Sequence, residues 1–527
     1  MTLPALVQRH PAAAPLLQDF LADSARRLPE KVALVCDGER LTYAELDARS
    51  NALAHALVRR GVARGDRVVV FEDNTIQAVV SYWAALKANA VVCAINSQTR
   101  VEKLAMMLAD CRATALVSDN RHAAIFVEAA ARSPLLSTVI VSGGLDAGRA
   151  SRLPGFVSWD EALAAEPRQA PPARLNLDHD LASIIYSSGT TGEPKAIMLS
   201  HRNMLAASAS ITAYLDNSED DVVLSVLPLS LTYGVYQMIA TFRVGARFVL
   251  ERSFAFPAQV LRQMVAEGVT GFAGVPMIYA VFLQTRNLTD YDLSRMRYLT
   301  NAAAALPVPH LLRLRELLPH VRFFSMYGQT ECARISYLPP EDIDRKPASI
   351  GIPIPNTEFW IIDEKGERAA PNHVGELVVR GAHVMRGYWD RAEATAQRLR
   401  PGPIPGEAVL HTGDLCRMDE EGYLYFVSRM DDIIKTRGEK VSPREVENAI
   451  AEIPGVVEVA VIGVPDDMLG QAVKAFVVPE DGAMMTEKQL KLECEKRLES
   501  FMVPKHVAFV ADLPRTSGGK VKKSELR

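Results

Sequence analysis

The residues best equipped for chemistry lie in one stretch, Tyr186-Ser187-Ser188-Gly189-Thr190-Thr191-Gly192-Glu193-Pro194-Lys195. Four hydroxyls, two glycines and a lysine stand close together here. Glycines let successive backbone N–H groups turn toward one point, and hydroxyls and an ammonium add donors; together they can cradle phosphate oxygens. The same composition also suits a plain surface turn. The P-loop spacing G-x-x-x-x-G-K-[ST] is not met, because Pro194 precedes the lysine and Ala196 follows it. A P-loop kinase or ATPase is therefore excluded.

Other clusters follow along the chain. Tyr327-Gly328-Gln329-Thr330-Glu331 comes directly after the apolar run Val321 to Met326. At a strand end of an open α/β sheet, a tyrosine can stack on a base, a threonine can hold phosphate and a carboxylate can hold magnesium. A polar turn would read the same way. Thr412-Gly413-Asp414 sits between Leu410 and Leu415. Its carboxylate can accept two hydroxyl hydrogen bonds, as a ribose would offer, or can serve a simple turn. The charged run Arg429 to Lys440 falls where the texture of the chain changes, and Pro514-Arg515-Thr516-Ser517-Gly518-Gly519-Lys520 presents one lysine on a glycine-rich loop. A solvated face and a basic tail are the plain alternatives for these two.

The elements that must position these residues are legible in part. Thr42-x-x-Glu45 is a capping box, opening a helix that turns Leu46, Leu53 and Leu57 inward and stops at Gly61. Val68 to Phe71, 91–95 and 114–118 read as strands, with helices at about 75–88 and 100–110 between them. Such alternation predicts crossover units on a parallel sheet. Glu166 to Pro172 reads as a surface linker. The apolar run Leu181 to Tyr186 is a buried strand. The phosphate-type loop after it opens a second series, with strands at 222–227, 246–250, 271–275, 298–302 and 322–327. From 357 the chain turns β-rich, as in Gly375 to Gly381. From about 430 it becomes a small α+β unit, with a helix at 444–452, strands Val457 to Ile462 and Ala472 to Val478, and a charged helix at 486–498.

The chain has 527 residues, 48% of them hydrophobic and 23% charged. These are the proportions of a core-forming, multi-lobed globular protein. A net charge of −4 gives no electrostatic case for nucleic acid or for an anionic membrane. No apolar run reaches the roughly 20 residues of a membrane span, and Met1 to Pro15 does not read as a signal peptide. Cysteines 36, 93, 111, 332, 416 and 494 are widely spaced, which favours free thiols in a reducing cytoplasm.

In their order along nearly the whole chain, Tyr186–Lys195, Tyr327–Glu331, Thr412–Asp414, Arg429–Lys440 and Pro514–Lys520 make the sequence resemble the AMP-forming adenylating superfamily. That superfamily comprises acyl- and aryl-CoA synthetases, adenylation domains of peptide synthetases, and luciferases. The resemblance implies an α/β fold with a large N-terminal domain, 1–429, of two similar α/β layers and a β-rich subdomain. A small mobile α+β domain, 430–527, would pivot at Asp431. It also implies that Ser187, Ser188, Gly189, Thr190, Thr191, Gly192 and Lys195 wrap the outer phosphates of ATP. Thr330 would contact phosphate and Glu331 would hold Mg²⁺. Tyr327 would stack on adenine opposite Ala302 and Ala303, and Asp414 and Arg429 would take the ribose. Lys520 would bridge the substrate carboxylate and the α-phosphate. Lys435, Gly438 and Lys440 would lie on the thiol side after the small domain turns.

The acyl pocket implied by the resemblance is Leu231, Tyr233, Gly234, Phe272, Gly274, Asn301, Met326 and Cys332, with Val275 and Arg334 beside it. Peptide-synthetase domains pair a substrate amino group with an aspartate, whereas Leu229 to Gly234 contains no acid. A buried, unpaired ammonium is costly, so an α-amino acid is disfavoured. The mostly apolar wall, with Arg334 as the single charge beside it, suits a fatty or aryl acid better than a charged one. Many relatives carry a histidine where Leu231 stands and an asparagine where Ser325 stands, so neither role transfers. The implied reaction forms acyl-AMP from a small carboxylic acid and ATP, then passes the acyl group to CoA. A free-standing acyl carrier protein bearing phosphopantetheine is the alternative acceptor, no carrier domain being fused before Arg527. A non-catalytic nucleotide-binding module is the alternative of another class.

Overall fold

The structure is a computed structural model and describes residues 15–164, 166–187, 194–285, 288–436, 439–466, 468–480, 482, 485–516 and 520–526. Of the expected phosphate-loop residues, Ser188, Gly189, Thr190, Thr191 and Gly192 lie outside these, as does Gly438 on the thiol side.

Two large sheets carry the N-terminal domain, as the alternation predicted. One has eight strands, whose middle is built from parallel pairs among Arg67–Glu72, Val91–Asn96, Ala113–Asp119, Thr138–Ser142 and Phe156–Ser158. The other has nine, with Val222–Ser225, Arg247–Leu250, Gly271–Gly274, Tyr298–Asn301 and Arg322–Tyr327 parallel in its body. Helices cover both, and a single apolar core runs between them. The helix Tyr43–Arg59 starts on the expected capping box: Thr42 Oγ1 accepts from Glu45 N at 3.2 Å, and Glu45 Oε2 accepts from Thr42 N at 2.8 Å. Leu46, Leu53 and Leu57 are fully buried on it.

One expectation needs correction, and one stretch holds elements that were not read from the sequence. Leu17–Arg27 is a helix, and Val32–Cys36 and Glu39–Thr42 form a hairpin. That hairpin turns on Asp37 and Gly38, with φ of 50° and 81°. Positive φ at both central residues is what an Asp-Gly hairpin turn requires. Its first strand pairs in parallel with Arg247–Leu250, so the opening of the chain belongs to the nine-stranded sheet. The expectation to correct is that the second sheet opens after Tyr186. Leu181–Ser187 and Lys195–Ser200 are antiparallel partners on the eight-stranded sheet, with Ser187 opposite Lys195.

A third, antiparallel sheet contains Thr357–Ile362, Gly375–Gly381, Leu399–Pro401, Ala408–Met418 and Leu424–Arg429. Gly351 connects it to the nine-stranded sheet: its carbonyl accepts from Leu424 N at 2.8 Å. A single short turn, Met430–Asp432, contains the expected hinge residue Asp431 and leads to the small domain. There five strands and the helices Pro443–Ala451 and Glu487–Glu495 enclose a separate core around Ile434, Val446, Ile450, Val461, Val477 and Leu490. The charged helix is thus shorter than expected. Among the described residues no helix is long and apolar enough to cross a membrane, and all six cysteines are buried and unpaired.

Gly351 has φ +90°, and a Cβ there would lie 1.8 Å from the Tyr337 carbonyl oxygen. Gly351→Ala is expected to lower the stability of the large domain by about 2–4 kcal/mol, read as a loss of denaturation midpoint.

Candidate active site

The site is assembled where the sheets meet. From the eight-stranded sheet, the antiparallel strands Leu181–Ser187 and Lys195–Ser200 bring Ser187 and Lys195 side by side at the end nearest their connection. Gly387–Tyr388 adds a short strand to the same edge, with Tyr388 opposite Ile197. The Lys195 ammonium lies 5.4 Å from the centre of the Tyr388 ring, and the Tyr388 hydroxyl donates to Glu331 Oε1 at 2.8 Å. Met385 N also donates to the Glu331 carbonyl at 2.7 Å. Burial, then the neighbouring Glu331 carboxylate, holds the Tyr388 phenol protonated. Tyr388 therefore links two expected site residues. Its sequence signal, an aromatic pair behind Gly387, does not reveal which strand it would join.

From the nine-stranded sheet, Arg322–Tyr327 ends at the turn that carries Gln329, Thr330 and Glu331, with Thr330 half-buried. From the third sheet, Asp414 and Arg429 face each other across adjacent strands. The three groups converge on one carboxylate. Tyr327 donates its hydroxyl to Asp414 Oδ2, and Gln329 Nε2 donates to the same oxygen at 2.6 Å and to Thr412 O at 3.0 Å. Arg429 Nε stands 3.5 Å from Asp414 Oδ1. Desolvation raises the Asp414 pKa above the ordinary aspartate value, against the opposing pull of Arg429, Tyr327, Gln329 and Lys520. Gln329 was part of the sequence motif but had no assigned role. Gly413 has φ +67°, and a Cβ there would lie 2.2 Å from an Arg398 nitrogen, so only glycine lets Asp414 approach this way.

The small domain contributes Lys520. Lys520 is exposed, yet close enough to Arg429, Asp414 and Glu331 to feel their charges. Desolvation and then Arg429 lower its pKa, while Asp414 and Glu331 oppose that. The domains touch through Ser442, whose hydroxyl donates to Val427 O at 2.7 Å, and Arg444, which reaches Ala305 O at 3.5 Å. Lys435 and Lys440 are opposite one another on strands Ile434–Thr436 and Glu439–Val441. Ala302 is buried beyond the strand Tyr298–Asn301, and Ala303 has φ +74°, an unusual conformation for a residue with a Cβ.

The fit of a magnesium ion can be tested on Glu331. Among the described residues it has no cationic side chain within ion-pair distance, and its one side-chain hydrogen bond goes to Oε1. No group of three or more His, Cys, Asp or Glu among the described residues could cage a metal. Mg²⁺ is commonly held by one or two carboxylates together with phosphate oxygens and water, so a single available carboxylate oxygen fits.

The expected acyl wall is mixed. Leu231 is the half-buried residue before helix Thr232–Val244. Tyr233 donates to Thr300 O at 2.9 Å, and Met326 Sδ accepts from Tyr214 at 2.9 Å. Asn301 donates through Nδ2 to Ala304 O at 2.9 Å, while its buried Oδ1 has no partner. Cys332 is buried beside Glu331. Phe272 stacks on Phe282 at 5.6 Å, and Cβ atoms at Gly234 and Gly274 would strike Pro228 O and the Tyr279 ring. Packing alone accounts for these last three.

This architecture, with hydroxyl- and lysine-bearing hairpin, carboxylate-centred crevice and a small lobe presenting one lysine, is that of an adenylate-forming enzyme. The model of the AMP-binding enzyme family matches residues 21–389 and that of the AMP-binding enzyme C-terminal domain matches 445–520, and the chain belongs to this family. It is 32% identical to a long-chain-fatty-acid–CoA ligase of Bacillus subtilis, over 97% of this chain and 94% of that one. It is 35% identical to a feruloyl-CoA synthase of an Amycolatopsis species, covering 95% and 96%. Among solved structures, ATP-bound MatB from Rhodopseudomonas palustris superposes with a TM-score of 0.86 at 31% identity, covering 97% and 98%. The enzyme class is an AMP-forming acid–thiol ligase.

Tyr388→Phe keeps the ring under Lys195 and removes the hydrogen bond to Glu331. A hydrogen bond to a charged group is worth about 1.5–3 kcal/mol. The substitution is expected to lower kcat/KM for ATP roughly 10- to 100-fold in a pyrophosphate-exchange assay, with the thermal midpoint little changed.

Proposed function

We propose that this enzyme converts a fatty or aryl carboxylic acid to its acyl-AMP, with release of pyrophosphate, and then transfers the acyl group to CoA. The observation that supports this best is the charge coupling of Lys520, from the small domain, to the Asp414, Arg429 and Glu331 of the large one. The two relatives, a long-chain-fatty-acid–CoA ligase and a feruloyl-CoA synthase, both make CoA thioesters by name. The carrier-protein acceptor gains no support from them.

In this reading ATP is a substrate, laid along the hairpin that begins at Ser187 and ends at Lys195, with Thr330 on phosphate. Tyr327 presents its face to adenine against Ala302 and Ala303, and Asp414 and Arg429 part to receive the ribose hydroxyls. Lys520 meets the acid's carboxylate and the α-phosphate together. A carboxylate is a weak nucleophile and is repelled by a triphosphate, so a preorganised cation at the point of attack lowers the barrier. Glu331 would hold Mg²⁺, which when bound neutralises phosphate charge and stabilises the leaving pyrophosphate. Closure of the small domain excludes water that would hydrolyse the acyl-AMP. Turning about Asp431 would withdraw Lys520 and bring the face with Lys435, Gly438 and Lys440 to the site for thiol attack.

AMP release measured over a panel of fatty, aryl and amino acids, with and without CoA, tests the reading. Fatty or aryl acids should be turned over only when CoA completes the cycle. Absence of pyrophosphate formation with every acid would overturn it. Removal of Mg²⁺ by chelation should abolish ATP–pyrophosphate exchange.

Lys520→Ala should cut exchange by roughly 10²–10³-fold or more, in line with the loss of one preorganised donor, while pre-formed acyl-AMP still reacts with thiol. Equal loss of both half-reactions would refute the exchange of lid faces.

A cation is needed at Lys520, and its lowered pKa means the charge is lost as pH rises through a value below that of a free lysine, about 10.4. Exchange should therefore decline on the alkaline side before that pH, and Lys520→Arg should move the decline upward. The same alkaline limb in both proteins would assign it to another group.

A further inference from the structure

Arg334 stands three residues beyond Glu331 and is only 4% exposed. Arginine is almost never this buried without a counter-charge, because an unpaired ion in a low-dielectric interior is strongly disfavoured. Yet no carboxylate lies within ion-pair distance of its guanidinium among the described residues. The group donates from Nη1 to the adjacent Ala333 carbonyl at 2.9 Å, and among the described residues Nε has no partner. It lies 4.6 Å from the centre of the Tyr233 ring, and its charge acts on the nearby Tyr214 phenol. A ring face beneath and a phenol beside it hold a guanidinium in place without satisfying it.

The surroundings of this arginine are those of the acyl side. Tyr233 opens the helix after the loop Leu229–Leu231, and its hydroxyl is fixed on Thr300. The next residue, Asn301, is 1% exposed and keeps Oδ1 without a donor. Tyr214 is fixed on Met326, at the end of the strand that leads to the catalytic turn. Three residues of extended chain span at most about 10 Å. The Arg334 backbone is therefore that close to Glu331, beside the expected acyl pocket rather than in a remote part of the core.

We propose that Arg334 is a specificity-determining residue: it binds a second oxygen acceptor on the acid, a carboxylate or a carbonyl, remote from the carboxyl that is adenylated. The unpaired guanidinium favours a full negative charge as its natural counterpart, and a carbonyl shares the same acceptor chemistry more weakly. This deepens the reading of the enzyme as an acid–CoA ligase and rests on it. An acid ending in a methyl group would leave Arg334 buried and unsatisfied in the complex. Sites built to hydrogen-bond a substrate reject analogues that lack the group far more strongly than apolar pockets discriminate by size.

The test is kcat/KM for AMP release with three sets of acids of matched skeleton, ending in methyl, in a ketone, or in a second carboxylate. Acids with the terminal oxygen group should be favoured over the methyl-ended ones by about 10²-fold or more; the better of the two sets identifies the acceptor. Arg334→Leu should erase that preference, with the methyl-ended acids retaining or gaining activity, and Arg334→Lys should restore part of it. Should Arg334→Leu not fold, the shift in thermal midpoint of the wild-type enzyme on adding each acid with ATP gives the same ranking. Methyl-ended acids equal to or better than the others would overturn the proposal, leaving the ligase assignment intact. Equal loss of all acids in Arg334→Leu would also overturn it, making the arginine a structural partner of Tyr233. No pyrophosphate with any acid would instead refute the ligase reading on which it rests.

Discussion

The desolvated carboxylate of Asp414 is the constraint on which the arrangement of the crevice depends. A buried carboxylate is tolerated only when its acceptor sites are filled, and its partners here come from three parts of the molecule. Tyr327 and Gln329 reach it from the end of the nine-stranded sheet, Arg429 from the next strand of the third sheet, and Lys520 acts on it from the small domain. Satisfying one ion thus fixes the relative positions of two sheets and favours the approach of the small domain. A phenol, an amide and a guanidinium gathered on one carboxylate also form a set of groups that can exchange partners when hydroxyls arrive, at little cost in unsatisfied charge.

A second chain of contacts runs through Tyr388. The hairpin carrying Ser187 and Lys195 belongs to the eight-stranded sheet, whereas Glu331 belongs to the turn of the nine-stranded sheet. Tyr388 is paired to the hairpin and hydrogen-bonded to Glu331, so one residue keeps the Lys195 side and the Glu331 side in register.

Much of this was readable from residue order, for physical reasons that differ by element. The capping box at Thr42 and Glu45 is a local device, visible because both partners lie within four residues. The parallel strands around Val68 and Val91 announce themselves as apolar runs buried on both faces. What stayed hidden depends on partners distant in sequence. The Asp37-Gly38 turn signals a hairpin, but nothing local says that Val32–Cys36 will lie beside Arg247–Leu250. The same holds for Tyr388 beside Ile197, and for Gln329, whose motif was visible while its carboxylate partner lay 85 residues away. The small residues expected to leave space for an acyl group show a converse limit. Gly234 and Gly274 are small because a carbonyl and a tyrosine ring already fill the space, which composition cannot distinguish from an open pocket.

The buried, unpaired state of the six cysteines has a consequence for an enzyme of this class. Acyl phosphate anhydrides acylate thiolates, and Cys332 is the immediate neighbour of Glu331. Its sulfur is enclosed, directs its hydrogen toward the Gln329 carbonyl, and is kept protonated by burial, as is the Cys416 thiol two residues from Asp414. Neither Cys332 nor Cys416 therefore offers a thiolate to an activated acyl group, and the acceptor thiol has to enter from outside.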